Sequence, residues 1–118
     1  METRRQRQVG ELIKRNFSSV LFQEGTYVYG SEALVSVTQV VMSPDLGLAK
    51  IYLSIYNTEN KQAVLLQVEE HKKRLKQLLS ARIRRHVRRI PHIDVYIDDT
   101  LDEIDKIDQM FNQIKKKN

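Results

Sequence analysis

Five turn-forming residues, Ser-Pro-Asp-Leu-Gly at positions 43–47, separate two segments of the chain that both carry strand patterns. Proline presets its own φ and glycine can adopt a positive one, so this segment predicts a tight turn. Residues 35–42 are rich in β-branched side chains, and in residues 49–56 apolar side chains alternate with polar or aromatic ones. Strands joined by so short a turn pair antiparallel, which predicts a hairpin with one buried face.

Helical periodicity precedes the hairpin. Apolar residues recur at steps of three and four over residues 4–23, which predicts a first helix with one buried stripe. Gly25 and Gly30 follow this helix, and we expect them to bracket a loop that leads into the first strand. The apolar stripe and the apolar face of the hairpin are then expected to pack together.

A second apolar stripe begins at about Lys61 and continues past residue 79. A straight helix would place Arg82 in the middle of this stripe, and burial of an unpaired guanidinium is costly. We therefore predict a break at the short side chains of Ser80 and Ala81. One helix would run to about residue 79, and a third helix would occupy about residues 81–89.

A third strand and a last helix complete the pattern. Pro91 ends the helical run, and residues 93–98 alternate apolar and polar side chains. Thr100 and Glu103 have the spacing of a capping box that opens a helix, and a frayed basic tail occupies 115–118. The fold class predicted is α+β: a three-stranded sheet with helices on one face, in the order helix, strand, strand, helix, helix, strand, helix.

The composition sets the class of protein. With 118 residues, 41% hydrophobic and 30% charged, the chain is predicted to form one globular domain over 1–118. It contains no cysteine, which excludes disulfides and thiolate zinc sites and suits a reducing cytosol. No apolar run reaches the length of a membrane span, and the N-terminus lacks the apolar core of a secretion signal. We expect a cytoplasmic protein with no membrane partner.

Basic side chains dominate one stretch of the chain. Between positions 72 and 89 there is no carboxylate, while apolar residues keep helical spacing. Helices that are charged only for solubility interleave both signs, so this stretch predicts a folded basic face for a phosphate polymer. The nine basic residues of the stretch are Lys72, Lys73, Arg74, Lys76, Arg82, Arg84, Arg85, Arg88 and Arg89.

Most of these residues are predicted to bind nucleic acid, namely Lys72, Lys73, Lys76, Arg82, Arg84, Arg85, Arg88 and Arg89. Arg4, Arg5 and Arg7 are weaker candidates, since terminal charges are common in soluble proteins. A helix that begins after a break at Ser80 and Ala81 would present free N–H groups and its positive dipole end to phosphate. Arginines would add planar guanidinium groups that can donate two hydrogen bonds to one phosphate, and lysines would act as mobile point charges.

Two groups of side chains suggest other chemistry. Tyr52, Tyr56 and Tyr96 would share the outer face of the sheet and could stack bases, although an amphipathic outer face explains them adequately. Six carboxylates between positions 98 and 108 could hold a metal ion, but their place at a helix start, near its positive dipole end, is the simpler explanation. We predict neither base stacking on the sheet nor a metal site.

Catalytic chemistry has little support in the sequence. His71, His86 and His92 lack the spacing of a zinc site. No serine stands in a nucleophile elbow, and the four glycines form neither a P-loop nor a GxGxxG motif. We therefore predict a protein that is not an enzyme, with no catalytic residues and no cofactor.

Three stretches of the chain resemble the bacterial ribosome-binding factor A family: VTQVVMSPDL at 37–46, AKIYLS at 49–54 and RIPHIDVYID at 89–98. The likeness runs from the first helix to the last. It implies a KH domain of type II topology in which an interhelical kink at a small residue replaces the usual GxxG loop. The break predicted at Ser80 and Ala81 lies where that kink would fall.

The resemblance also implies a function. Members of the family bind 16S ribosomal RNA in the small (30S) ribosomal subunit and assist its maturation, including rRNA processing, and they are associated with growth in the cold. We expect the present chain to do the same as a monomer. Two alternatives remain open: a DNA-binding module that uses the third helix for recognition, and a protein-interaction domain whose basic face binds an acidic partner.

Overall fold

The computed structural model describes residues 2–98. Over this range the predicted order of elements and the α+β class are confirmed. The predicted last helix with its capping box, the carboxylates at 99–108 and the basic tail at 115–118 lie outside the described residues. The elements are α1 (Arg4–Tyr29), β1 (Leu34–Met42), β2 (Leu48–Tyr56), α2 (Lys61–Glu70), α3 (Lys72–Ile83) and β3 (His92–Ile97).

The helix α1 begins at a capping box that the sequence analysis did not identify. The Thr3 hydroxyl accepts a hydrogen bond from the Gln6 amide at 3.1 Å, and the Gln6 side-chain oxygen accepts one from the Thr3 amide at 2.7 Å. Each bond satisfies a backbone donor at a helix start. The predicted stripe is buried, with Ile13 and Phe17 fully enclosed.

The helix α1 ends later than predicted. It continues through Gly25 to Tyr29, and Gly30, with φ of 89°, forms its C-cap. The prediction that Gly25 opens a loop was wrong: a Cβ on Gly25 would collide with the Tyr29 hydroxyl, so this glycine makes room for a ring one turn later on the same helix. From sequence alone a glycine suggests the end of a helix, because the sequence does not show that a neighbouring side chain needs the space of the missing Cβ.

The hairpin forms as predicted, and a parallel third strand completes the sheet in the order β1-β2-β3. The strands β1 and β2 pair antiparallel with a bulge between Val37 and Gln39, and β2 pairs parallel with β3. A positive φ is required in the turn, but Leu46 adopts it, with φ of 59°, rather than Gly47. The amide of His92 donates to the Gly47 carbonyl at 2.9 Å, so the turn is tied to the start of β3.

The break between the second and third helices does not lie where the sequence predicted it. The helix α3 runs without interruption through Ser80 and Ala81, and the division falls at His71, whose backbone has φ of −100° and ψ of 9°. The predicted third helix over 81–89 was also wrong, because residues 84–86 form a turn and an irregular segment leads from there to β3.

The physical reason for this correction is the direction of the buried stripe. In α3 the fully buried side chains are Leu75, Leu79 and Ile83, spaced four residues apart, so the stripe drifts around the helix by about 40° per step. This drift leaves Arg82 on the exposed flank of α3, and no break is needed to keep its guanidinium out of the core. Ile83 is the last member of the stripe, and the helix ends there.

Candidate nucleic-acid interface

The start of α3 is the most unusual electrostatic feature of the described residues. It follows directly on His71, with no side chain capping it and no acidic residue in its first turn. Instead Lys72 and Lys73 occupy its first two positions. The N-terminus of a helix carries a partial positive charge, so two ammonium groups there are repelled by the helix itself. An external anion would relieve that repulsion.

Three lysines line one groove beside this helix start. The cavity measures about 410 Å³ and separates α3 from the beginnings of β2 and β3. Only one carboxylate lies in it, where Asp94 Oδ1 is 3.7 Å from the Lys72 ammonium. Both side chains of that pair are more than two-fifths exposed, so the attraction is weak. We name this site the lysine groove; its lining is Leu48, Lys72, Lys73, Lys76, His92, Ile93 and Asp94.

A second groove lies further along α3. It has a volume of about 490 Å³ and contains two guanidinium groups, those of Arg84 and Arg88. Ser80 and Ala81, predicted as a kink, instead line this groove and keep it open because their side chains are short. We name it the arginine groove; its lining is Gln77, Ser80, Ala81, Arg84, Val87, Arg88 and Ile90.

A third cavity, of about 270 Å³, lies between the start of α1, the β1–β2 turn and the segment before β3. It brings Arg5 together with Arg88 and Arg89, although more than eighty positions separate Arg5 from the other two in the sequence. Arg88 and Val87 also line the arginine groove, so the two cavities adjoin. We name this cavity the turn pocket; its lining is Arg5, Val9, Asp45, Leu46, Val87, Arg88 and Arg89.

The turn pocket includes residues that the sequence analysis interpreted only as turn chemistry. The Asp45 carboxylate accepts hydrogen bonds from the Ser43 hydroxyl at 2.7 Å and the Gly47 amide at 3.0 Å. These bonds, together with Arg89 at 3.8 Å, lower the pKa of Asp45 below its ordinary value of 3.8. The sequence signal that could have suggested this pocket was a pair of opposite charges, namely the Asp45 carboxylate in the turn and the run of arginines before β3.

Several predicted residues do not join these grooves. The Arg82 Nε donates to the Asn16 side chain of α1 at 3.1 Å, and Arg74 pairs with Glu24 of α1 at 3.3 Å. Arg85, Arg4 and Arg7 are exposed and line none of the three cavities. Of the N-terminal arginines, Arg5 alone lines one of the three cavities, the turn pocket. Its guanidinium also donates to the His86 carbonyl at 3.4 Å.

Most of the basic face has no carboxylate partner among the described residues. Within residues 2–98, the ion pairs that involve the basic stretch are those of Lys72, Arg74 and Arg89. The remaining basic side chains of the stretch have no carboxylate partner among the described residues: Lys73, Lys76, Arg82, Arg84, Arg85 and Arg88. The molecule therefore leaves a cationic surface that its own described acids do not neutralise.

The outer sheet face and the histidines offer weaker sites. Tyr52 and Tyr96 are partners in the β2–β3 register and stack on each other, with centroids 5.4 Å apart and ring planes inclined by 27°. His71 meets the Tyr27 ring edge-on at 5.7 Å. Over residues 2–98, no three His, Asp or Glu side chains gather in a group that could hold a metal ion. None of the described helices is both long and apolar enough to cross a membrane.

Comparison with known proteins adds family evidence to this geometry. The family model described as Ribosome-binding factor A matches residues 5–111. A protein of that name from Cytophaga hutchinsonii is 40% identical over 114 residues, which cover 97% of this chain and 85% of the relative. Another, from Chlorobium limicola, is 34% identical over 113 residues, covering 95% of this chain and 92% of the relative.

Solved structures show the same fold. The crystal structure of ribosome-binding factor A from Thermus thermophilus matches 78% of this chain and 94% of its own, with a TM-score of 0.65 and 18% identity. A homology model of the Thermus thermophilus factor, fitted into a cryo-electron microscopy map of a 30S complex, matches 75% and 90%, with a TM-score of 0.60 and 21% identity. These likenesses agree with the predicted KH-like, type II arrangement.

Proposed function

The chain belongs to the ribosome-binding factor A family, and from this premise we propose that it is a non-catalytic assembly factor for the small ribosomal subunit. It binds 16S ribosomal RNA in the 30S subunit as a monomer in the cytoplasm. The lysine groove and the arginine groove hold the RNA backbone. By this binding it assists maturation of the subunit, including rRNA processing, and its help matters most in the cold, where misfolded RNA rearranges slowly.

One observation carries the proposal: Lys72 and Lys73 stand at the positive end of α3 without an acid in the first turn. Within α3 these ammonium groups oppose the helix dipole, although they also follow the negative C-terminal end of α2 with its Glu69 and Glu70. A phosphate placed at the same end accepts from the helix start and from both lysines. The arrangement therefore favours a ligand with negative charge.

The succession of two basic grooves along α3 favours a polymer over a single anion. Lys73 and Arg84 are eleven positions apart, and at 1.5 Å per residue a helix would separate them by roughly 16 Å, about the length of several nucleotides. The short side chains of Ser80 and Ala81 line the surface between these two charges. An RNA strand can therefore follow α3 from its start to its end.

Contacts of this kind position RNA without reading its bases. Specificity then comes from the shape of the immature ribosomal site, and the factor leaves when the mature conformation no longer fits the two grooves. No step of this action requires a nucleophile, a metal or a cofactor.

The two alternatives lose support for different reasons. A DNA-binding module needed the helix over 81–89, but α3 ends at Ile83 and residues 84–86 form a turn. A domain that binds an acidic protein would use the same charges, but a large folded partner would not need two grooves in series along one helix. The order of the grooves along one helix suits a flexible strand better.

The proposal is tested by co-sedimentation with purified 30S subunits. Lys72→Glu combined with Lys73→Glu should remove binding at a salt concentration where the original protein binds fully, because two phosphate contacts become repulsive. The matched control is Lys14→Glu with Arg15→Glu, which makes the same change in net charge on α1, away from the grooves. Nuclease treatment of the subunits should release the original protein.

Comparison of the two double variants distinguishes binding at the proposed interface from attraction by net charge alone. Equal loss of binding in both would mean that net charge alone attracts the protein to ribosomes, and would contradict the proposed interface. Binding that survives nuclease treatment would favour the acidic-protein alternative instead. A competition between duplex DNA and structured RNA for the original protein tests the DNA alternative.

A further inference from the structure

The turn pocket combines features that the two grooves do not share. The lysine groove and the arginine groove lie beside α3, whereas the turn pocket lies between α1, the β1–β2 turn and the segment before β3. Three guanidinium groups, those of Arg5, Arg88 and Arg89, lie at this pocket, and one carboxylate, that of Asp45, partly balances them. A net charge of about two positive units therefore remains, counting one unit for each ionised group.

Other parts of the wall are apolar. Val9 of α1 is buried, and Leu46 and Val87 are half-buried beside the cavity. A site for inorganic phosphate or for a polyanionic tail needs no such surface. A nucleotide needs both kinds of wall, because its base is flat and weakly polar whereas its phosphate is charged.

The turn that forms one wall of the pocket is also set in advance of any ligand. Asp45 is fixed by the Ser43 hydroxyl and the Gly47 amide, and its other oxygen faces the Arg89 guanidinium at 3.8 Å. A Cβ on Gly47 would collide with the same guanidinium, so this glycine lets Arg89 lie against the turn. The Arg5 guanidinium is held by the His86 carbonyl at 3.4 Å. The turn around Asp45 is thus set before RNA arrives, whereas Arg5 and Arg89, whose contacts are long and exposed, are only biased toward the pocket.

The adjacent groove identifies the source of the nucleotide. Arg88 and Val87 line both the arginine groove and the turn pocket. A strand whose backbone lies in the arginine groove therefore reaches the turn pocket without leaving the protein surface. A base in a duplex stays stacked and paired, so only a single-stranded or splayed nucleotide could enter.

We propose that the turn pocket binds one unstacked nucleotide of the RNA strand that occupies the arginine groove. Its base rests on Val9, Leu46 and Val87, and its phosphate lies against the guanidinium groups of Arg88 and Arg89. This inference rests on the proposed function and adds to it a preference for single-stranded RNA at one defined point. Asp45 acts as a positioning residue that holds Arg89 at the rim.

Leu46→Asn is the informative variant. Leu46 has a positive φ, which asparagine tolerates well, so the turn keeps its backbone while the pocket loses part of its apolar wall and no charge changes. The probe is a single-stranded oligouridylate of about ten nucleotides, within the usual site size. It is compared with an abasic ribose-phosphate chain of the same length, and both affinities are measured by fluorescence anisotropy.

The original protein should prefer the oligouridylate by about tenfold, the order of one base contact. Leu46→Asn should reduce that preference to about threefold or less and leave affinity for the abasic chain unchanged. Lys72→Glu with Lys73→Glu should weaken both probes and preserve their ratio. An unchanged preference in Leu46→Asn would overturn the pocket while leaving the proposed function intact. A lysine variant that binds both probes normally would instead contradict the proposed function.

A second measurement needs no variant. Oligouridylate that carries 4-thiouridine is cross-linked to the original protein by ultraviolet light, and the modified peptides are found by mass spectrometry. The proposal predicts cross-links in the turn at 44–47 or in residues 87–89. Cross-links confined to α3 would mean that the base stays outside the turn pocket and would overturn the inference.

Discussion

The two ends of α3 carry charge of the same sign in opposite electrostatic settings. Lys72 and Lys73 lie at the start of the helix, where the backbone dipole opposes them, whereas Arg82 and Arg84 lie at its end, where the dipole attracts them. The arginines at the end therefore have a reason to be there even without a ligand. The lysines at the start lack this support from α3, although the C-terminal end of α2 with its two glutamates favours them, and we propose that an external anion is their further partner.

Side-chain partners do not distinguish the two ends. Near the end of α3, the Arg82 side chain donates to Asn16, whereas Arg84 has no carboxylate partner among the described residues. At the start, Lys73 has no carboxylate partner among the described residues, and the Lys72 pair with Asp94 is long and exposed. Each end therefore has one cation with a side-chain partner and one without a carboxylate partner, so the dipole of α3 is what distinguishes the two ends.

The largest expected effect is the loss of RNA affinity when the charges at the two ends of α3 are reversed in separate variants. Lys72→Glu with Lys73→Glu removes two charged contacts, each contributing about 1.5 kcal/mol, so affinity for single-stranded RNA should fall roughly 100-fold. Arg84→Glu with Arg85→Glu makes the same change in net charge but alters only one groove residue, so a loss of about tenfold is expected. Anisotropy titrations at two salt concentrations measure both. Equal losses would show that the ends do not differ in function.

A smaller effect, on the free energy of unfolding, is expected when an alanine of α3 is replaced by glycine. Ala81→Gly should lower the free energy of unfolding by about 0.5–1 kcal/mol, because glycine weakens the continuous helix that the structure places there. Ala63→Gly near the start of α2 is a comparison at another exposed alanine. Chemical denaturation measures both. A neutral or stabilising Ala81→Gly would instead indicate a kink at this position.

The smallest expected effect concerns the turn. Hydrogen bonds from Ser43 and Gly47, aided by Arg89, lower the pKa of Asp45 below 3.8, so the ionised form is favoured in the folded protein. The resulting stabilisation is present above pH 3.8 and is lost as the pH falls through the lowered pKa. An NMR titration of the Asp45 carboxyl should give that lower pKa. Ser43→Ala should raise it, and an unchanged value in Ser43→Ala would refute the assigned cause.

Much of the fold was predictable because its signals are local. The alternation in residues 49–56 and the turn at 43–47 specify the hairpin, and Pro91 marks the approach to the third strand. The errors arose where a distant or later side chain decides the geometry. Gly25 stays helical because Tyr29 needs the space. No break is needed at Ser80 and Ala81, because the drifting stripe keeps Arg82 out of the core without a kink.

The candidate site was predictable as a list of charges but not as an arrangement. The sequence identified the basic stretch, yet it could not tell that Arg82 faces Asn16 while Arg88 and Arg89 meet Arg5. It placed the anion site after Ser80 and Ala81, where the structure has a helix interior and then a helix end. Which charges face one another depends on how α1 lies beside α3, and no local pattern encodes that.

The most direct test of the account compares one residue from each end of α3. Lys73→Glu replaces a cation at the helix start by an anion, and Arg84→Glu does the same at the helix end; both side chains are exposed and lack a carboxylate partner within residues 2–98. At low salt, denaturant unfolding should show Lys73→Glu to be more stable than the original protein and Arg84→Glu less stable, each by about 0.3–1 kcal/mol. A loss of stability in Lys73→Glu would contradict the claim that this lysine opposes its own helix and is retained to bind an anion.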